Sequence, residues 1–361
     1  MSSPFSDSYA EARAKFIALA DAHSAVLRSA VHPTARGVDG EELVIDLAVF
    51  GNPVADKTLL LISGTHGQEG YTGSAIQIAF LEKLEIPQGM NIVAVHGLNP
   101  WGFSHLSRTD EANIDLNRNF RNFSQTPPVN DVYRELHATL CPDDWTAETG
   151  NWSALQEELV RIHGWNRFLS GLTGGQCLEP SGLNFGGHAP AWSNVAISRE
   201  LPPLLASARK VAFLEWHTGL GPFGELCHIC MHDPASSAYA RVFEWMGDEA
   251  RAGFEQAFDG AKGATPSYDG LFSVWLPSAA PQAEWAGLAI EVGTYDNAKV
   301  ANALRMDRWL KFGRGRGSSS REAVRRTMLE RLYPAAPAWR SAALANGCDA
   351  QTRALLGLER W

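Results

Sequence analysis

The sequence predicts an α/β fold, a mostly parallel or mixed twisted sheet with helices on both faces. Three observations carry that expectation. Short continuous apolar runs recur at "TLLLIS" (58–63), "NIVAVHG" (91–97), "VAFLEW" (211–216) and "GLAIEVG" (287–293), and such runs suit strands buried on both sides. Helix-like stretches separate them, as where Ile76, Phe80 and Leu84 recur at helical spacing after the first run. With 361 residues, 45% hydrophobic and 20% charged, the chain is long enough to bury a large core.

Taken in order, residues 7–31 read as a helix, and "ELVIDLAVF" (42–50) alternates like a strand before the turn signal "GNP". Strand 58–63, a glycine turn, helix 71–84 and strand 91–97 follow. From about 123 to 195 runs a long, polar, Trp- and Gly-rich insertion. One amphipathic helix is expected there, with Leu155, Leu159, Ile162 and Leu169 along one face, before the loop-like "GLTGGQCLEPSGLNFGGHAPAWSN". Helix 196–209, strand 211–216, a strand around 226–232 and strand 287–293 complete the sheet. The remainder, about 300–361, reads as a helical C-terminal extension with helices at 300–311, 321–332 and 338–346 and a flexible "GRGRGSSS" break. The expectation is one domain over 1–361, the tail packing back on the sheet.

Composition narrows the partners. A formal charge of −9 and no Lys/Arg-rich face interleaved with aromatics argue against nucleic acid. No stretch reaches the length of a membrane span, and "MSSPFSDSYAEARAKF" lacks signal-peptide regions, so no membrane partner and a cytoplasmic location are expected. The five cysteines are scattered, and reduced thiols are expected. Oligomeric state is not legible at this level.

In an open α/β sheet, ligands bind outside the carboxyl ends of the strands. Four apolar runs end in reactive residues there: His66 and Glu69; Arg108, Asn117 and Arg118; His217; and Glu291. His66 and Glu69 alone read equally well as a turn histidine and a helix-start acid. With His217 they supply the three nitrogen and carboxylate ligands of a catalytic zinc that leaves one position open. Glu215, two residues before His217, faces the same way along a strand and is a candidate partner for it. Glu291, at the end of an apolar strand, needs something to offset its burial, and a base beside a metal-activated water would explain it. Arg108 suits a scissile carbonyl, and Asn117 with Arg118 a substrate carboxylate, because the guanidinium fork matches an oxyanion or carboxylate; taken alone, the three read as well as members of a solvated loop with Asp110, Glu111 and Asp115 as local partners.

These segments resemble the zinc carboxypeptidase superfamily, the metallocarboxypeptidases with their succinylglutamate desuccinylase and aspartoacylase relatives. "GTHGQEG" is similar to the first ligand motif, "NPWGF" with Arg108 and "DLNRNF" to the substrate segment, "EWHTG" to the third ligand and "AIEVG" to the glutamate strand. Within it, "GLNFGGHAPAWSN" and "HTGLGPFGE" resemble a bacterial group known as a domain of unknown function. The resemblance implies Zn2+ on His66, Glu69 and His217, Arg108 at the oxyanion, Asn117 and Arg118 at a terminal carboxylate, and Glu291 as general base. Tyr268 is similar in placement to the tyrosine that closes over substrate.

The expected activity is cleavage of a peptide or amide bond beside a free carboxylate, on a small peptide or, alternatively, an N-acyl amino acid. A further alternative is an inactive homologue that binds a peptide or cell-wall fragment. Cys227 and Cys230 in "CHIC" should face opposite sides of a strand rather than form a second metal site. His96, His105, Trp101, Trp192 and Trp216 are expected to serve packing.

Overall fold

The structure is a computed structural model, and it describes residues 3–127, 129–252, 269–317, 319 and 321–361. Seven strands form one mixed sheet: β1 (Val26–Arg36), β2 (Glu42–Gly51), β3 (Lys57–Ser63), β4 (Met90–His96), β5 (Lys210–Gly219), β6 (Leu226–Ile229) and β7 (Glu284–Gly293), in the order β1-β2-β4-β3-β5-β7-β6. The central β4, β3, β5 and β7 run parallel, while β1, β2 and β6 pair antiparallel at the edges.

The apolar runs are continuous because both faces are covered. Leu59 and Leu61 point into a core built with α1 (Tyr9–Ala22) and α2 (Gly70–Leu81), whereas Leu60 and Ile62 point into an opposite core. After α3 (Pro100–His105) and a 3-10 turn at Leu116–Arg118, the insertion folds as α4 (Asp131–Leu140), α5 (Trp152–His163) and α6 (Trp165–Thr173). Tyr133, Leu136, Trp152, Leu159 and Phe168 give it a small core of its own. Then come α7 (Trp192–Leu204), whose Ile197 and Leu201 enter the second core, α8 (Ser237–Met246), α9 (Phe272–Trp275), α10 (Asn297–Phe312), α11 (Arg321–Leu332) and α12 (Pro337–Arg360). The last of these lies against α2 and α8.

Three expectations change. The helix predicted over 7–31 ends at Ala22, and Ser24 takes a positive φ of 51° that turns the chain into β1. Val26–Val31 then pair with Val44–Val49 of β2, an extended partner that overrides local helical character. The insertion, expected to hold one helix, holds three: α4 precedes the expected stretch, and the stretch through Leu155 and Leu169 is divided into α5 and α6 because Gly164 adopts φ +74° between them. Ile162, expected on the apolar face, is 56% exposed. The helix predicted at 338–346 continues to Arg360, and "GRGRG" is a 3-10 turn at Arg314–Gly317. No described helix is long and apolar enough to cross a membrane.

Candidate metal centre

The site lies at the carboxyl edge of the parallel strands. β3 ends at Ser63, and Gly64 turns with φ +79°, a conformation that costs glycine least. A Cβ on Gly67 would lie 1.9 Å from the Gly102 carbonyl carbon, so only glycine lets the turn press against α3. This tight turn carries His66 forward and leaves Glu69 at the N-terminal end of α2, where the helix dipole favours a carboxylate. His217 and Glu291 lie within β5 and β7, not beyond them, and are direct cross-strand partners.

Three donor groups converge. His66 Nδ1 is 3.0 Å from Glu69 Oε1, His217 Nδ1 is 3.0 Å from Glu69 Oε2, and the two Nδ1 atoms are 3.2 Å apart. A tetrahedral zinc with bonds of about 2.0–2.1 Å spaces its ligand atoms about 3.4 Å apart; here the two histidine nitrogens are 3.2 Å apart, each faces a different oxygen of Glu69, and one donor atom from each residue lies within 4.8 Å of the others. Among the described residues this is the group of His, Cys, Asp and Glu side chains that could hold a metal.

Each histidine has a carboxylate near its other nitrogen. His66 Nε2 is 3.2 Å from Asp115 Oδ1, and His217 Nε2 lies 3.1 Å from Glu215 Oε1 at ion-pair distance, without hydrogen-bond alignment. A carboxylate bonded as Asp115 is to His66 holds an imidazole in one orientation and leaves its facing nitrogen as the donor. Glu215, anticipated as a partner of His217, also accepts from Thr65 Oγ1 at 2.9 Å. The placement of Asp115 behind His66 was not anticipated, and Asp115 does more. It caps the 116–118 turn by accepting from Asn117 N (2.9 Å) and takes Arg108 Nε on Oδ2 (3.1 Å). Its position directly before "LNRNF" was the available signal.

The electrostatics call for a cation. Glu69, Asp115 and Glu215 are buried around the centre, with Glu291 beside them and Arg108 as a guanidinium in contact. Burial works to raise the Glu69 carboxyl, but the charges and hydrogen bonds of His66 and His217 overcome it and hold it low. Burial likewise works against the His217 cation, yet Glu215 and Glu69 push its pKa well above the usual histidine range. Asp115 is held low against its burial, chiefly by Arg108 and His66. A donor set that draws positive charge this strongly, with both histidines aimed inward, fits a divalent ion.

The substrate-side residues border the same space. Arg108 Nη1 sits 3.2 Å from His66 Nδ1 and 3.3 Å from Glu69 Oε1. Glu291 accepts from Leu220 N at 3.3 Å, and burial followed by the charge of Glu69 raises its pKa to about 7. Asn117 Oδ1 accepts from Phe272 N, fastening the turn to α9. Arg118 donates to Asn117 O (2.6 Å) and to Thr173 O at the end of α6 (2.7 Å). All seven predicted residues other than Tyr268 line one cavity of about 1100 Å³, whose insertion wall includes Trp152, Trp165 and Phe168. Tyr268 lies outside the described residues.

Other sequence features serve the scaffold. Cys227 pairs across the strands with Glu291, while Cys230 is buried in the core. His96 stacks on Phe16 and bonds Ser74 Oγ; His105 stacks on Trp101; Trp216 is buried in the core; Trp192 packs on His32.

Fold and site together define an α/β protein with a candidate mononuclear metal centre at the carboxyl edge of a mixed sheet. The chain belongs to the family described as "Protein of unknown function (DUF2817)", whose model matches residues 5–346. No curated protein matches it. Among solved structures it is similar to carboxypeptidase A from Helicoverpa armigera, at 13% identity over 91% of this chain and 75% of that one, TM-score 0.46. It is also similar to thrombin activatable fibrinolysis inhibitor, at 9% identity over 97% and 74%, TM-score 0.46. A metallopeptidase candidate from Shewanella amazonensis SB2B matches at 14% identity over 84% and 92%, TM-score 0.44.

Proposed function

We propose that this protein is a zinc-dependent hydrolase that cleaves a peptide or amide bond next to a free carboxylate. The observation that carries the reading is the convergence of His66, Glu69 and His217 at 3.0–3.2 Å, each histidine backed by a carboxylate, with Glu291 paired beside His217. His66, Glu69 and His217 would hold the zinc. When bound, the ion would supply Lewis-acid polarisation of a carbonyl and make a water molecule more acidic.

The remaining work falls to side chains of this chain. Glu291, the register partner of His217 on the neighbouring strand, is placed to take a proton from the attacking water and return it to the leaving amine. Arg108 directs its guanidinium at the donor set and suits the charge that develops on the carbonyl oxygen. Arg118, bordering the cavity, is the candidate for the substrate's terminal carboxylate, with Asn117 beside it.

The deciding experiment screens zinc-loaded protein against C-terminally free peptides, their amidated forms and N-acyl amino acids. Turnover of free peptides that is lost on amidation supports the carboxypeptidase reading. Turnover of N-acyl amino acids alone would move it to an N-acyl amino acid amidohydrolase. Zinc uptake without turnover of any of these would overturn the hydrolase reading.

A further inference from the structure

The loop 107–113, which carries Arg108, hangs on two charged residues of α10, in the C-terminal extension. Asp307 Oδ2 accepts from Arg108 N at 3.0 Å and from Ser107 Oγ at 3.1 Å. Lys311, one turn further along the helix, is 3.2 Å from the same oxygen and donates to Ser107 Oγ and Thr109 Oγ1. Thr109 Oγ1 in turn donates to Asn113 Oδ1 at 3.0 Å. On its other side, Arg108 O accepts from Asn99 Nδ2 at 3.2 Å and from Gly67 N of the ligand turn at 3.4 Å. Both backbone groups of Arg108 are therefore held, one by α10 and the other by elements of the metal centre.

The choice of residues is informative. Asp307, Ser107 and Thr109 are each less than 10% exposed and Lys311 is partly buried, and an ion pair withdrawn from water is a poor source of stability, since apolar residues often join helix to loop as well. A carboxylate does offer a charged acceptor of fixed direction to a backbone N–H, and a lysine neutralises that carboxylate while tying down the hydroxyls on either side. We propose that Asp307 and Lys311 form a positioning pair that sets the guanidinium of Arg108 against His66, Glu69 and Asp115. The pair touches no reacting atom. The proposal rests on the hydrolase reading only for its kinetic consequence.

The test is a double-mutant cycle of Asp307→Asn with Arg108→Ala in the full chain, read in two ways. In the zinc-loaded enzyme, Asp307→Asn should lower kcat about 10–100-fold with KM within about twofold, as expected when a reacting group is misplaced rather than removed. Added to Arg108→Ala it should cost almost nothing more, whereas independent effects would add. The second readout needs no turnover. The guanidinium stands beside the donor set, so Arg108→Ala should tighten zinc about three- to tenfold in competition with a chromophoric chelator. Asp307→Asn should tighten it in the same direction, again without adding in the double variant.

Should Asp307→Asn fold poorly, Asp307→Asn with Lys311→Met removes both charges of the pair and is read in the same way. Additive effects, or unchanged kcat and zinc affinity in a folded variant, overturn the positioning role. A wild type that binds zinc but cleaves nothing defeats the hydrolase reading alone, and the zinc cycle still decides the pair. A wild type that binds no zinc defeats both.

Discussion

His217 and Glu291 are register partners on neighbouring parallel strands, so a ligand of the candidate metal centre and its candidate base stand side by side on the sheet edge. Their spacing is set by the backbone ladder rather than by flexible loops. Sites built this way hold their geometry without help from the ligand.

Glu291→Gln keeps the size of the side chain and removes its ability to take a proton. It should retain zinc at wild-type stoichiometry while kcat falls by about 10²–10⁴-fold. Metal analysis and steady-state kinetics on one preparation check this, and full activity in the variant would sink the assigned base.

Asp115 holds both His66 Nε2 and Arg108 Nε. Asp115→Asn should weaken zinc about 10–100-fold, the usual cost of losing a carboxylate behind a metal histidine. Chelator competition measures it; affinity equal to wild type would mean that His66 needs no such support.

Zinc should stabilise the fold if His66, Glu69 and His217 hold it, since the unfolded chain does not preserve that donor set. At free zinc about 100 times its dissociation constant, the gain is about 2.7 kcal/mol. Calorimetry of the chelated and zinc-reloaded protein should show a melting temperature several degrees higher with zinc. An identical melting temperature in both states would count against binding at this centre.

Arg118 is the candidate reader of a terminal carboxylate, although its guanidinium already ties the 116–118 turn to the end of α6. Arg118→Lys keeps the charge but loses the planar fork. The preference for free over amidated C-termini should shrink at least about tenfold, mainly through KM. A preference unchanged in the variant would assign the carboxylate to another residue.

His96 is fully buried against Phe16 and Ser74, and burial pushes its pKa down to about 4. The unfolded chain takes up that proton first, near the ordinary value of about 6.5. Stability is therefore complete above about pH 6.5 and declines as pH falls toward 4, by at most about 3 kcal/mol from this residue. Urea unfolding of His96→Gln between pH 7 and pH 4.5 should show a shallower decline than wild type. Parallel declines would show that His96 is not responsible.

Much of the sheet was legible because its central strands are apolar on both faces, which needs no knowledge of what covers them. That His66, Glu69, His217 and Glu291 would gather at one edge of the sheet was legible for a related reason: each follows or ends such a run, where an α/β sheet presents its side chains. β1 was not legible, since Val26–Val31 are extended only because β2 offers them a ladder. Nor was the break in the insertion, where one glycine at positive φ divides a stretch whose apolar spacing reads through it.

By itself the sequence determined the central strands, the helices that follow them and the positions at which histidines, carboxylates and arginines leave the sheet, because periodicity and turn chemistry act within a few residues. Only the tertiary structure decided which nitrogen of each histidine faces the centre, that Asp115 joins His66 to Arg108, and that Asp307 on a distant helix anchors Arg108. Those contacts form between residues as much as 199 positions apart. Buried polar groups must find partners wherever packing brings them, and no local pattern records that choice.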